Sequence, residues 1–68
     1  MDMKNINTFI YTAELGSFTK AAELLGYSQS TVSFQIRQLE EELGTVLFER
    51  INRTVTLTDR GKEILRYA

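Results

Sequence analysis

Three glycines divide the first 44 residues of this sequence into three segments that have the period of an α-helix. Gly16, Gly26 and Gly44 each follow a run in which apolar residues recur at helical spacing. Glycine readily adopts the left-handed conformation that ends many helices. A residue type that favours helix starts stands before each run: Asp2, Ser17 and Ser28. The sequence therefore predicts three short helices joined by tight turns.

Each predicted helix carries an apolar stripe that we expect to face a shared core. In the first helix the stripe is Met3, Ile6, Phe9, Ile10 and Ala13. In the second helix it is Phe18, Ala21, Ala22, Leu24 and Leu25. In the third helix it is Val32, Ile36, Leu39 and Leu43. The spacings predict three amphipathic helices packed against one another.

After Gly44 the pattern changes from helix to strand. Residues 46–48 form a short apolar run and residues 55–58 alternate, with residues 51–54 between them, which predicts a two-stranded hairpin. Two strands are not stable alone, so the hairpin must lean on the helices and project as a wing. Thr58 can cap a fourth helix. The pattern alone predicts a mainly α fold with three helices, a small two-stranded wing and the start of a further helix.

Composition argues against an enzyme. The 68 residues include no histidine and no cysteine, so the usual neutral-pH acid–base group and the thiolate metal ligand are missing. The only cluster of carboxylates is residues 40–42, and consecutive helical residues point in different directions. We therefore predict no catalytic residue, no metal site and no cofactor. The sequence also contains no apolar run that could span a membrane and no signal-peptide core.

The charge is unevenly distributed along the chain. Residues 1–49 contain three basic and seven acidic side chains, a net of −4, and residues 50–68 contain five basic and two acidic side chains, a net of +3. Together they give the formal net charge of −1. The overall sign argues mildly against a nucleic-acid partner, whereas the basic C-terminal part is compatible with one. Charge alone favours an ordinary solvated surface.

The second and third predicted helices have the spacing of a helix-turn-helix. Ala22 is a small residue four positions before Gly26, and Val32 lies six positions after that glycine. A small residue suits a close helix crossing, a glycine suits the turn, and an apolar residue holds the following helix. On spacing alone, a DNA-binding helix-turn-helix and an ordinary helical bundle with a glycine turn remain equally open.

The outer face of the third helix favours DNA binding. Its first turns are dominated by uncharged hydrogen-bonding groups: Gln29, Ser30, Ser33, Phe34 and Arg37 lie opposite the apolar stripe. Glutamine can bond adenine, arginine can bond guanine, and serine can bond either. For Phe34 two interpretations stay open, contact with a thymine methyl group or folding back over a neighbouring helix.

The predicted hairpin tip offers a second set of DNA-contacting residues. The candidates are Arg50, Asn52, Arg53 and Thr54. Two arginines and two small polar groups suit contact with phosphates or with the minor groove. The alternative is a plain basic turn without a partner.

Several motifs in order resemble the DNA-binding domain of LysR-type transcriptional regulators. They are Leu-Gly-Ser-Phe-Thr-Lys-Ala-Ala-Glu at 15–23, Ser-Gln-Ser-Thr-Val-Ser at 28–33, Gln-Ile-Arg-Gln-Leu-Glu at 35–40, Leu-Gly at 43–44, Leu-Phe-Glu-Arg at 47–50 and Leu-Thr-Asp-Arg-Gly at 57–61. The resemblance covers essentially the whole chain. It implies a winged helix-turn-helix whose third helix enters the major groove.

The resemblance also implies roles for particular residues. Base contacts fall on Gln29, Ser30, Ser33 and Phe34. Contacts with the DNA backbone fall on or near Ser28, Thr31, Arg37 and Gln38, and on the wing at Arg50 and Arg53, with Asn52 and Thr54 beside them. The sequence departs from the family pattern at Ser30, where proline is common, and at Phe34, where a basic residue is common.

The resemblance implies that the chain is part of a larger regulator. Residues 1–58 would form the DNA-binding domain, and residues 59–68 would begin a linker helix that pairs across a dimer through Ile64, Leu65 and Ala68. For Ile64 and Leu65 the alternative is a place in the core of the domain. We expect a homodimer of the parent on an interrupted inverted repeat of double-stranded DNA, and a monomer or weak dimer for these 68 residues alone.

Further expectations concern the parent protein. A separate domain would bind a small-molecule effector, and the regulator would lie in the cytoplasm with the nucleoid and without a membrane. Two alternative functions remain open at this point. The winged helix could belong to a molybdate-responsive regulator, or it could serve as a protein-interaction module.

Overall fold

Four helices and one two-stranded antiparallel sheet make up the described part of the chain, residues 2–51 and 54–67 of a computed structural model. In chain order they are α1 (Met3–Leu15), α2 (Phe18–Leu25), α3 (Gln29–Leu43), β1 (Phe48–Ile51), β2 (Thr54–Leu57) and α4 (Asp59–Tyr67). This order confirms the predicted winged helix-turn-helix.

The first three helices begin and end at the predicted residues. The side chains of Asp2, Ser17 and Ser28 accept hydrogen bonds from the backbone N–H groups of Lys4, Lys20 and Thr31, respectively. The helices end at Gly16, Gly26 and Gly44, which have φ of 63°, 76° and 68°. Only glycine adopts this region without strain, so these three positions fix where each helix stops.

Two residues predicted to face the core are exposed. Met3 in α1 is 72% exposed and Leu24 in α2 is 61% exposed. In α1 the buried side is rotated toward the polar residues Asn5, Thr8 and Thr12. In α2 the buried residues are Ala21 and Ala22. Leu24 lies about 110° around the helix from the midpoint of these two alanines, which places it away from the buried side.

The core lies where α1, α2 and α3 meet the base of the hairpin. Its buried members are Phe9, Ala22, Val32, Ile36, Leu39, Leu47 and Phe48. The Phe48 ring lies edge-on to Phe9, with centroids 5.5 Å apart, and edge-on to Phe18, at 5.6 Å. The first strand is thus held against the helices by aromatic packing.

The hairpin is present, but its strands are displaced from the predicted positions. β1 begins at Phe48 and extends to Ile51, which pairs with Thr54, so both ends of the predicted 51–54 connection belong to the strands. Leu47 lies directly ahead of the strand. Its side chain is fully buried, and its carbonyl oxygen accepts the N–H of Thr58 at 3.0 Å. Asn52 lies outside the described residues, as does Arg53.

The fourth helix starts as predicted and packs on the core. The Thr58 hydroxyl accepts the N–H of Gly61 at 3.0 Å, which caps α4. Gly61 is buried against the Leu47 carbonyl group and the Leu57 side chain. Ile64 and Leu65 are half-buried and pack against the core cluster. None of the helices in the described residues has the length and apolar character needed to cross a bilayer.

Candidate nucleic-acid interface

Helices α2 and α3 and the turn between them form the predicted helix-turn-helix. The N–H of Tyr27 donates to the carbonyl oxygen of Ala22 at 2.9 Å, which closes the end of α2 around Gly26. Ala22 and Val32 are both buried and pack in the same core cluster. The predicted use of a small residue, a turn glycine and an apolar anchor is confirmed. With the hairpin after α3, the geometry defines a winged helix-turn-helix.

The outer face of α3 presents most of the predicted base-reading residues to solvent. Exposed positions are Gln29, Ser30, Phe34, Arg37 and Gln38, and half-buried positions are Thr31 and Ser33. The buried residues Val32, Ile36 and Leu39 occupy the opposite side. One side of α3 thus packs in the core, and the other side is accessible to solvent along the first three turns.

The N-terminus of α3 is capped by side chains from its first turn. The Ser28 Oγ atom accepts the backbone N–H of Thr31 at 3.1 Å and lies 2.9 Å from the Thr31 Oγ1 atom. These two residues were predicted to contact the DNA backbone. Their hydroxyl groups are thereby held at the N-terminus of the helix, the end that favours an approaching phosphate.

A row of hydrogen bonds joins α1 to α3, and we call it the polar seam: Asn5, Thr8, Gln35 and Gln38. The Asn5 Nδ2 atom donates to Gln38 Oε1 at 3.0 Å, and the Thr8 Oγ1 atom donates to Gln35 Oε1 at 2.5 Å. Asn5 and Thr8 are buried, and the pairing shows that α1 and α3 run antiparallel. The polar seam therefore fixes how α3 is rotated against α1.

Sequence reasoning missed the polar seam. Asn5, Thr8 and Thr12 recur at intervals of three and four, which is the spacing of one helix face. Because these residues are polar, the buried face was assigned to the apolar residues beside them. Thr12 is also buried, and its hydroxyl donates to the carbonyl oxygen of Thr8 at 2.7 Å. The repeating interval was the available signal.

The polar seam affects Gln38, one of the residues predicted to contact the DNA backbone. The Gln38 Oε1 atom is engaged by Asn5. A phosphate oxygen needs a donor, and the Gln38 side-chain nitrogen is the donor end of the amide. The hydrogen bond from Asn5 therefore orients Gln38 with its acceptor inward.

Arg50 lies beside α3 and does not extend from the tip of the hairpin. Its guanidinium carbon lies 4.6 Å from the centroid of the Phe18 ring, a cation–π arrangement. A groove of about 380 Å³ runs between α3 and β1, and its polar lining is Ser33, Arg37, Glu40 and Arg50. The structure thus brings two predicted backbone-contact residues, Arg37 and Arg50, to one groove.

Glu40 lines the same groove and is held by the backbone. Its Oε2 atom accepts the N–H of Leu47 at 2.8 Å. This contact links α3 to the segment that precedes β1. The remaining wing candidate within the described residues is Thr54, which is exposed at the start of β2. Asn52 and Arg53 lie outside the described residues, as does the predicted dimer residue Ala68.

Comparison with solved structures identifies closely similar DNA-binding domains. The BenM DNA-binding domain in complex with benA site 1 DNA matches with a TM-score of 0.93 and 42% sequence identity, over 98% of this chain and 75% of that chain. The CbnR DNA-binding domain in complex with DNA matches with a TM-score of 0.93 and 37% identity, over 98% of this chain and 77% of that chain.

Sequence comparison gives the family. The family described as bacterial regulatory helix-turn-helix protein, lysR family, matches residues 3–62. The transcriptional regulator YwqM of Bacillus subtilis is 48% identical over all 68 residues, and the transcriptional activator IlvY of Salmonella typhimurium is 47% identical over the same span. The chain covers 23% of the length of each regulator.

This chain belongs to the LysR family of bacterial regulatory helix-turn-helix proteins. It is the DNA-binding domain of a transcriptional regulator and not an enzyme. The predicted resemblance is confirmed, and the molybdate-responsive alternative is set aside.

Proposed function

We propose that this domain binds double-stranded DNA in a sequence-specific manner, with α3 in the major groove. The observation that carries the proposal is the outer face of α3, where hydrogen-bonding side chains are exposed along the first three turns. Recognition helices present such residues to base edges. The similarity to BenM and CbnR domains solved with DNA supports the proposal.

Within this proposal the predicted residues take two roles. Base contacts are assigned to Gln29, Ser30, Ser33 and Phe34. Contacts with phosphates and sugars are assigned to Ser28, Thr31, Arg37, Gln38, Arg50, Asn52, Arg53 and Thr54. The groove that holds Arg37 and Arg50 favours the second assignment, because two guanidinium groups beside α3 would flank a helix seated in the major groove.

The salt dependence of DNA affinity tests this function. Three of the assigned backbone contacts are arginines, and each phosphate neutralised adds about −0.9 to the slope of log affinity against log salt. We expect a slope of about −2.7 for one domain on a short duplex, measured by fluorescence anisotropy. Arg37→Ala should reduce the slope by about 0.9.

Lys4→Ala is the matched control for that measurement. Lys4 is exposed at the start of α1, and the antiparallel polar seam places this end of α1 toward the C-terminal end of α3. The substitution removes the same charge and should leave the slope unchanged. A domain whose affinity for DNA is absent or insensitive to salt would favour the protein-interaction alternative, which the net charge of −1 suits.

We also propose a division of the chain and an assembly for the parent protein. Residues 1–58 form the DNA-binding domain, and α4 is the start of a linker helix that pairs across a homodimer on an interrupted inverted repeat. An open, mainly apolar groove of about 390 Å³ between α1, α3 and α4 supports this proposal. Ile64 and Tyr67 line it, and Tyr67 is 86% exposed. The covering partner would be a second copy.

Sedimentation velocity tests the assembly. We expect the 68 residues alone to be a monomer or a weak dimer at micromolar concentration, because the described part of α4 offers nine residues for pairing. A version that continues α4 with the parent sequence should sediment as a dimer. A tight dimer of the 68 residues, or a monomer of the longer version, would contradict the proposed linker helix.

The remaining proposals concern the parent regulator. The chain covers less than a quarter of its regulator relatives, so a further domain that binds a small-molecule effector is proposed for the rest of the protein. A location in the cytoplasm with the nucleoid follows from the proposed binding of DNA. Localisation of a fluorescent fusion of the parent on the nucleoid would support it, and exclusion from the nucleoid would contradict it.

A further inference from the structure

Phe34 is a large apolar side chain on the face of α3 that is assigned to DNA. It is 59% exposed. The ring–ring contacts found among the described residues join Phe48 to Phe9 and to Phe18, so Phe34 does not share in them. Of the two interpretations open from the sequence, folding back over a neighbouring helix does not describe the structure. Phe34 points away from the core, toward the position of the proposed ligand.

The surroundings of Phe34 on α3 are polar. The residues three and four positions away on the same helix are Ser30, Thr31, Arg37 and Gln38, and Ser33 is adjacent. Surfaces that dock proteins are contiguous apolar patches, and α3 offers a single aromatic ring among polar groups. The small serine side chains leave room for that ring to reach the floor of a groove. This arrangement fits a point contact better than a protein interface.

We propose that Phe34 selects thymine through the C5-methyl group of that base. This inference rests on the proposed function. Phenylalanine has no hydrogen-bonding group in its side chain, so it cannot read donors or acceptors on a base edge. The apolar feature that a standard base pair presents in the major groove is the thymine methyl group. Phe34 would therefore contribute specificity at a T·A pair, while its serine and glutamine neighbours read hydrogen bonds.

The proposal predicts a defined response to removal of one methyl group. Selection from random duplexes with the 68-residue protein gives a preferred site. Each thymine of that site is then replaced in turn with deoxyuridine, which lacks only the methyl group. At one thymine we expect binding to weaken about fourfold, the ratio that corresponds to burial of one methyl-sized group. Phe34→Ala should lose this response, because the alanine side chain does not reach the methyl group.

A second arm separates the methyl group from the rest of the base. Cytosine at the critical position should bind weakly, and 5-methylcytosine, which carries the same methyl group, should recover about fourfold. Phe34→Leu keeps an apolar side chain and should keep part of the response. Phe34→Arg places there the residue type that commonly bonds guanine, and should move the preference from thymine to guanine.

Met3→Ala is the matched control for removal of an exposed apolar side chain. Met3 is 72% exposed and lies at the end of α1 that the polar seam places away from the start of α3. Its removal should leave the response to deoxyuridine as in the unaltered protein. Circular dichroism of each variant checks that the fold is retained.

The outcomes distinguish this inference from the function on which it rests. If selection enriches no sequence, the proposed function fails and the inference fails with it. If a sequence is enriched but every deoxyuridine substitution affects the unaltered protein and Phe34→Ala equally, DNA recognition stands and the thymine-methyl inference is overturned. A fourfold loss at one thymine that disappears in Phe34→Ala establishes the inference.

Discussion

Gly61→Ala is expected to remove most of the stability of this domain. A Cβ atom at residue 61 would collide with the carbonyl oxygen of Leu47 and would lie 3.2 Å from the Leu47 carbonyl carbon and 3.0 Å from Leu57 Cδ2. The Leu57 side chain can move. The Leu47 backbone cannot, since its N–H donates to Glu40 and its carbonyl oxygen accepts from Thr58.

The expected loss of unfolding free energy is about 3 kcal/mol, at the upper end for overpacking of a core. A single-core domain of this size rarely exceeds about 5 kcal/mol in total. Urea denaturation followed by circular dichroism measures the change. Gly44→Ala is the control, because a Cβ there meets no atom within 4 Å and the cost of about 1 kcal/mol comes from the positive φ alone. Equal midpoints for the two variants would show that α4 does not pack tightly on Leu47.

The second large effect is expected for Phe9→Ala. Phe9 is fully buried, and its ring packs edge-on against Phe48, which in turn packs against Phe18. Removal of a buried phenylalanine side chain costs about 3–5 kcal/mol, through lost transfer free energy and the cavity that remains. The same denaturation experiment should find Phe9→Ala largely unfolded at 25 °C.

Phe34→Ala makes the same chemical change at an exposed position. We expect its unfolding free energy to lie within about 0.5 kcal/mol of the unaltered domain, as for surface substitutions in general. A loss below 1 kcal/mol for Phe9→Ala would contradict the assigned core. The comparison also separates the two faces of the domain, because Phe9→Ala should impair DNA binding only through unfolding, whereas Phe34→Ala should alter site preference in a folded protein.

Much of the fold could be predicted from local signals. Helix ends depend on residues that are close in sequence, such as Ser28 and the N–H of Thr31, so the serine and glycine positions located the first three helices correctly. The apolar spacing of Val32, Ile36 and Leu39 likewise identified the buried side of α3. Because the opposite side of α3 follows from that assignment, the candidate base-reading residues could be listed without a structure.

The contacts that orient the site could not be predicted in this way. Thr8 and Gln35 are 27 positions apart, and no local rule pairs a threonine with that particular glutamine. Arg50 was expected at the hairpin tip, but the strand begins two residues later than predicted, and the side chain stacks on Phe18. The displaced strand places Arg50 inside the paired part of the hairpin, opposite Val55, where no local sequence rule had placed it.

The polar seam has a consequence for how LysR-type domains of this kind can diverge. Apolar surfaces tolerate small rotations of one helix on another, whereas hydrogen bonds hold only within a narrow range of angle and distance. The hydrogen bonds from Asn5 and Thr8 therefore fix how α3 is rotated about its own axis, and they do so from the buried side of α1. Residues such as Gln29 and Phe34 make no contribution to that setting and can be exchanged one at a time. New DNA-binding preferences can then arise while the orientation of α3 stays the same and the core is unchanged.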